Sequence, residues 1–223
     1  MFELNDNLDI QEELFLDSII YTIDNFYKNP QEINDYLFSK PAPLWKIEEK
    51  PSFNNVHFED RRFVKYDSRL LSVIDFLSNL VSQKPDSYNI VTNQARFYNH
   101  DFNDIENCHW WPHNDGGYNG IVYFNDDNKN GTNLYDVINH REMIIEHYRP
   151  WRSKDDFKVI KHIEPRYNRL VIFNGRKFLH GMNIVDKKYF SNEYRNNQVF
   201  FFTPSKIKIN VNHKKHNSYK KLA

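Results

Sequence analysis

The rhythm of apolar residues changes near residue 85. Before it the spacing is helical. Ile19, Ile20, Ile23, Phe26 and Tyr27 recur at three- and four-residue intervals within 17–27, the period that lines one helix face. Asn29-Pro30 opens a second short helix through Leu37, and Pro41, Pro43 and Pro51 mark a loop. Ser68 is the cap of an apolar helix from Leu70 to Val81, ended by Lys84-Pro85. After residue 85 the pattern becomes short runs rich in Val, Ile, Tyr and Phe, separated by Asn, Asp and Gly. These place strands near 88–98, 119–125, 131–136, 157–164, 169–174, 179–185 and 195–203, with a weaker one at 206–211. So many short strands in succession favour a sandwich or jelly roll over a βαβ fold. The expectation is a mainly β chain with N-terminal helices, one domain over 1–223. Residues 1–85 would be helical support, 86–211 the β core and 212–223 a polar tail.

A chain of 223 residues is long enough to bury one substantial core. Lys+Arg and Asp+Glu are both 30, so no net field draws the protein to nucleic acid or to a membrane. The basic end, Lys214 to Ala223, reads as a frayed tail and not as a nucleic-acid patch. Eighteen Phe and 14 Tyr suit a β-rich protein with a large, partly polar cavity. The single cysteine, Cys108, excludes an internal disulfide framework and fits a reducing compartment. No apolar run approaches a membrane span, and the first residues lack a signal sequence. The expected setting is cytoplasmic, a virus-encoded protein inside a host cell being compatible with it; the sequence is silent on oligomeric state.

The candidate chemistry lies in His113-Asn114-Asp115, answered by His180 in Leu179-His180-Gly181. Two imidazoles and one carboxylate on one face of an iron leave its other positions open, the ligand set of non-haem Fe(II) oxygenases. A His-x-acid triplet is common by itself: His57/Glu59, His140/Glu142 and His162/Glu164 repeat the pattern with Glu. Context separates them. His113 and Asp115 precede the strand-like run Gly120–Asn125, and a later run leads into a histidine. Residues i and i+2 of an extended segment share a face. His162/Glu164 stops at Pro165 without a partner histidine and reads as a solvated strand face. The other two pairs sit in polar, irregular stretches.

The ordered set resembles the double-stranded β-helix core of the 2-oxoglutarate/Fe(II)-dependent dioxygenases, nearest to the prolyl-hydroxylase-like branch. The likeness runs from about Tyr98 to Thr203. It is carried by His113-x-Asp115, Ile121-Val122-Tyr123-Phe124-Asn125, Gly131-Thr132-Asn133-Leu134-Tyr135, Asn168–Asn174, His180-Gly181 and Arg195–Phe202. Ile23–Pro30 is similar to the helical lead-in of a viral and bacterial subgroup. The resemblance implies a cupin-like jelly roll in which His113, Asp115 and His180 hold Fe(II) and are the catalytic centre. It also implies that 2-oxoglutarate chelates that iron and that O2 is consumed. Arg195 would grip the distal carboxylate of 2-oxoglutarate, Tyr123 would contact the same carboxylate, and Tyr98 would line that pocket. The implied reaction hydroxylates a C–H bond of a small-molecule or peptide substrate.

Several positions carry a plainer reading beside the functional one. Arg195 can cap a strand, although it leads into the apolar run Val199–Phe202. Tyr123 can be core. Trp110, Trp111 and Trp151 can line an entrance or anchor loops. His109 reads as exposed or as a neighbour of the ligands. Asp126 and Asp127 read as turn chemistry, since EF-hand spacing is absent. The stretch 136–168 reads as an insertion that shapes the substrate site as a lid. Two other classes stay open: a catalytically silent jelly-roll module binding a protein or sugar, such as a viral structural component, and a cupin enzyme that does not use 2-oxoglutarate.

Overall fold

The structure is a computed structural model that describes residues 1–39, 41, 44–51, 57–64, 67–81, 85–97, 105–139, 151–190 and 193–204. In chain order the elements are β1 (Asp9–Phe15), β2 (Ser18–Asp24), α1 (Pro30–Phe38), β3 (Lys46–Pro51), β4 (His57–Val64), α2 (Leu71–Leu80) and β5 (Pro85–Phe97). They continue with β6 (Cys108–Trp110), β7 (Tyr118–Tyr123), β8 (Thr132–Val137), β9 (Trp151–Ser153), β10 (Phe157–Ile163), β11 (Leu170–Asn174), β12 (Leu179–Met182) and β13 (Arg195–Pro204). Eight strands form one sheet in the order β1-β2-β11-β7-β13-β5-β4-β3, three form a second in the order β10-β8-β12, and β6 pairs with β9. All pairings among these strands are antiparallel. The architecture is mainly β and compatible with a sandwich. No helix among the described residues is long and apolar enough to cross a membrane.

The expected N-terminal helices are corrected. Residues 17–27 form no helix: Ser18–Asp24 is β2, joined to β1 by a two-residue turn at Leu16 and Asp17 with φ of 45° and 60°. Such left-handed pairs match the twist of a hairpin. Ile20 packs into the core between the two sheets while Tyr21 and Ile23 face the helices. With both faces covered, the alternation that marks a half-exposed strand disappears. The β-branched content of Ile19-Ile20-Tyr21-Thr22-Ile23 decides for a strand. The similarity of Ile23–Pro30 to a helical lead-in therefore loses its structural basis. The expected loop around Pro41–Pro51 holds β3, which runs along the sheet edge and ends at Pro51, a place where a missing N–H is tolerated. Four of the eight main-sheet strands thus come from the stretch expected to be helical support.

Two helices stand where expected, between strands. α1 begins at Pro30 and buries Ile33 and Leu37. α2 is preceded by a 3-10 turn, Ser68–Leu70, and the side chain that caps this turn is Asp67, not Ser68: it accepts from Arg69 N–H at 3.1 Å. Val73, Ile74 and Leu77 of α2 pack with Tyr21, Ile23, Val122, Leu170 and Phe200 of the main sheet. Burying each such aliphatic side chain contributes roughly 1.5–3 kcal/mol. The opposite face of the sheet meets the three-stranded sheet through Ile20, Ile121, Tyr123, Leu134, Ile163 and Phe173. The seven main strands expected after residue 85 are present as β5, β7, β8, β10, β11, β12 and β13. The weak strand at 206–211 and the tail from 212 lie outside the described residues. Within 136–168, β9 and β10 are paired strands and not a free lid; residues 140–150 lie outside the description.

One ion pair ties the N-terminal hairpin to the sheet. Arg169, nearly buried, donates from Nε to Asp24 Oδ1 at 2.6 Å and from Nη2 to Asp24 Oδ2 at 2.9 Å, and from Nη1 to the Glu164 carbonyl. The Arg169 hydrogen bonds hold the Asp24 carboxyl below its usual range against the opposing effect of burial. A depressed carboxyl stabilises the fold above its unfolded pKa, and that stabilisation is lost as pH falls through the folded value. Arg169→Ala is expected to cost on the order of 1–2 kcal/mol near neutral pH, because it removes charge-assisted hydrogen bonds from a partly exposed carboxylate that keeps Arg166 at 3.4 Å. The loss should shrink as the pH is lowered into the acid range, read from urea unfolding midpoints of both proteins across pH.

Candidate metal centre

Just before β7 the chain leaves β6 through Trp111, whose φ of 44° turns the backbone back on itself. His113 follows and pairs with His180 of β12: His113 N–H donates to the His180 carbonyl at 3.0 Å, and His180 N–H to the His113 carbonyl at 2.8 Å. The approach is so close that a Cβ at Gly181 would collide with the Trp110 carbonyl oxygen, so glycine is required beside the ligand histidine. Asp115 is fixed separately, its N–H donating to the Gly175 carbonyl at 2.9 Å in the turn after β11.

These tethers bring His113, Asp115 and His180 together, with one ligand atom from each lying within 4.8 Å of the others. Asp115 Oδ2 is 3.0 Å from His180 Nε2 and 4.0 Å from His113 Nε2. Among the described residues this is the group of that kind that converges. The tautomers follow from the other ring nitrogens. His113 Nδ1 lies 2.7 Å from the Trp111 carbonyl and His180 Nδ1 lies 3.0 Å from the Phe178 carbonyl. A carbonyl only accepts, so each Nδ1 carries a proton, which in the neutral ring leaves a lone pair on Nε2 facing inward. Two imidazole nitrogens and a carboxylate oxygen then face one point, a donor set that could hold a metal ion.

The electrostatics agree with that reading. Burial, reinforced by the His180 ring, pushes the His113 pKa down to about 4 although Asp115 opposes it, so the ring is an uncharged ligand at neutral pH. Burial raises the Asp115 carboxyl, but the His180 and His113 rings and the Asn119 amide outweigh it and leave the pKa at about 2. Asn119, at the start of β7, donates from Nδ2 to Asp115 Oδ2 at 2.5 Å and sits 2.9 Å from His180 Nε2. Imidazole and carboxylate with open positions are the donors that suit Fe(II), so the residues fit that ion.

The triad lines a cavity of about 450 Å³, and Arg195 lines it too. Arg195 is 8% exposed. It donates from Nε to the Asn130 carbonyl at 3.2 Å and from Nη2 to the Gly131 carbonyl at 3.3 Å. Nη1 reaches the Asn197 side-chain oxygen at 2.6 Å once that amide is turned to present it. No carboxylate among the described residues comes within 4.0 Å of the guanidinium. Tyr123 is buried with its ring 5.5 Å from the guanidinium carbon, and its hydroxyl bonds to Thr132 Oγ1 at 2.8 Å. Thr132, and not Tyr123, lines the cavity. Tyr98 lies outside the described residues.

Trp110 and Trp111 line the cavity, while Trp151 is packed in an aromatic cluster with Phe97, Trp110 and Phe190. His109 is not exposed: it is buried, with Nε2 3.1 Å from the Phe157 carbonyl, and burial lowers its pKa to about 4 despite that bond. His162 is an exposed strand residue bonded to Asn133 Oδ1, as its sequence context implied. The side chains of His57 and Glu59, and all of His140 and Glu142, lie outside the described residues. Asp127 is turn chemistry, accepting from the Lys129 and Asn130 N–H groups. It also accepts from Tyr189 O–H at 2.6 Å, which pins the loop whose carbonyls hold Arg195. Sequence reasoning missed Asn119, Thr132 and Asn197, because a polar residue on a strand has no signal until the register shows which face it takes. No protein-family model matches the chain, and no curated protein matches it either.

The centre predicts specific divalent-ion binding. Saturation with Mn(II) or Fe(II) under anaerobic conditions should raise the melting temperature, by about 2.7 kcal/mol of stability at a hundredfold excess over Kd. His113→Ala, Asp115→Ala and His180→Ala should each abolish the effect. Because His113 stays unprotonated down to about pH 4, its contribution to ion affinity should persist at pH 5 and fade below that. Calorimetric titrations at pH 7, 5 and 4 check the order.

Proposed function

We propose that the protein is an Fe(II)/2-oxoglutarate-dependent dioxygenase built on a double-stranded β-helix, hydroxylating a C–H bond of a small-molecule or peptide substrate. The observation that carries this reading is one cavity holding both a two-histidine, one-carboxylate cluster and a buried guanidinium that has no carboxylate within 4.0 Å among the described residues, Asp127 acting on it only from a distance. A buried charge lacking a counter-ion costs several kcal/mol. An anionic ligand that also binds at the cluster removes that cost, and a dicarboxylate with a keto group next to one end does both. The buried Arg195 disfavours a silent module or an enzyme that does not use 2-oxoglutarate, since neither explains a cation at that place.

His113, Asp115 and His180 hold the iron, their lone pairs set inward by the Trp111 and Phe178 carbonyls. Arg195 grips the far carboxylate, a task suited to a group that stays charged and presents a rigid fork of donors. Tyr123 backs the guanidinium, and its hydroxyl pairs with Thr132 Oγ1, which lines the cavity. Val91, Ile121, Val199 and Phe201 supply apolar wall between the two ends, which excludes water and strengthens both charge contacts. When bound, iron with 2-oxoglutarate and O2 supplies the oxidation: one oxygen atom enters the substrate C–H bond, the other ends in succinate, and CO2 leaves. Asp115 is present as the carboxylate ligand, so no ligand position is vacated for a halide.

The test is a two-ligand titration without oxygen. Wild-type protein with Fe(II) and 2-oxoglutarate should show the weak visible charge-transfer band of the chelate, and Asp115→Ala should lack it. Arg195→Ala should weaken 2-oxoglutarate binding at least tenfold, a loss above about 1.4 kcal/mol, with ion affinity little changed. Arg195→Lys should recover part of the loss. Absence of the band in an iron-loaded wild type, together with no 2-oxoglutarate affinity, overturns the proposal.

A further inference from the structure

Asn119 occupies a position that the ligand set alone does not explain. Its Nδ2 touches Asp115 Oδ2 at 2.5 Å and lies 2.9 Å from His180 Nε2, while its Oδ1 is buried and bonded to nothing. The reverse orientation would set Oδ1 against a carboxylate oxygen and an imidazole lone pair, three acceptors with no hydrogen between them; the chemistry selects the N–H. Space for the amide is made on purpose by a neighbour. A Cβ on Gly175 would stand 2.9 Å from Cγ, Nδ2 and Oδ1 of Asn119 alike, a separation that real Cβ atoms do not show. The Gly175 carbonyl in turn holds the Asp115 N–H. Asn119 and Gly175 therefore grip Asp115 from its side chain and its backbone.

We infer that Asn119 is a positioning residue that makes Asp115 a one-oxygen ligand and so keeps open the third coordination position, the one left beside a bidentate cosubstrate. The inference rests on the metal-centre reading. A carboxylate oxygen has two lone pairs. Donation from Asn119 occupies one on Oδ2 and leaves the other for the ion, and that same Oδ2 is the oxygen nearest both imidazoles. Asp115 Oδ1 accepts no hydrogen bond among the described residues, so only Asn119 opposes a rotation that would present both oxygens. Two-oxygen binding would fill the one position that stays open beside a bidentate 2-keto acid. Three protein donors around a six-coordinate ion leave about three positions for water or cosubstrate, and a fourth protein oxygen leaves about two.

The experiment uses Mn(II) as the probe, with water-proton relaxation counting bound waters and calorimetry measuring 2-oxoglutarate affinity at saturating Mn(II). Asn119→Ala removes the donor, Asn119→Asp keeps its shape and replaces N–H by a second anionic oxygen, and Gly175→Ala displaces the amide without removing any polar group. Far-UV and near-UV spectra establish that each variant folds. All three should lower the relaxation enhancement per bound ion by about a third and, with 2-oxoglutarate saturating, abolish the one-water enhancement that the wild type retains, while still binding Mn(II). A merely structural Asn119 would change stability and leave the water count alone. Folded variants with the wild-type water count, alone and with 2-oxoglutarate bound, overturn the inference and leave the metal centre standing. A wild type that binds no Mn(II) or Fe(II) removes the metal centre, and the inference with it.

Discussion

The reciprocal backbone pair between His113 and His180 is the interaction on which the site depends. It joins the connection ahead of β7 to β12 of the second sheet, a backbone link outside the regular ladders of either sheet. Because the two residues are directly opposed in an antiparallel pair, both side chains leave it on the same side, with ring centroids 4.5 Å apart. Gly181 permits the approach, Trp111 bends the incoming chain, and the carbonyls that result are the ones that orient the rings. One local constraint therefore fixes distance, direction and tautomer together.

That arrangement is costly in the absence of a ligand. Asp115 and Arg195 carry opposite charges and share a cavity, yet neither is the other's partner. The carboxylate is crowded by imidazole lone pairs, and the guanidinium is held by neutral carbonyls. An ordinary core would let the two meet or replace both. Keeping them apart leaves one end that wants a cation and another that wants an anion, with apolar wall between. Such unresolved electrostatics are where local rules of stability give way to function. The compensation comes from elsewhere, in part from the Arg169–Asp24 pair and the helix-side core, which involve none of the same residues.

What could be read from the sequence divides along the same line. β5 and the later main strands were legible because turn residues bound them and β-branched or aromatic residues fill them. The triad was legible because His113 and Asp115 are two apart in an extended segment and His180 ends a later run. β2 was not, since it is covered on both faces and its isoleucines fall by coincidence at helical intervals. β3 was hidden by prolines that an edge strand tolerates, and β4 by its run of charged residues. Asn119, Thr132 and Asn197 were invisible for a different reason. A single amide or hydroxyl says nothing until the register places it, and Asn119 acquires its role only because Gly175, 56 positions later on a neighbouring turn, leaves room.

β13 shows why stability and the site cannot be separated in this fold. Its residues alternate strictly: Arg195, Asn197, Val199 and Phe201 line the cavity, whereas Gln198, Phe200 and Phe202 face the helices, with Gln198 Oε1 accepting from the buried Tyr27 hydroxyl at 2.6 Å. A slip of one residue would send Phe200 and Phe202 into the cavity and bury Arg195 among the helices. The strand is protected against that slip on both sides, by β5 over almost its whole length and by β7 from Asn197 to Phe202. The penalty for misplacing two phenylalanines is a packing penalty, blind to chemistry. It nevertheless sets where the guanidinium stands. The hydrophobic pattern that folds the strand is thus the same pattern that aims the charge, and the two rows of β13 cannot be tuned apart without breaking its register.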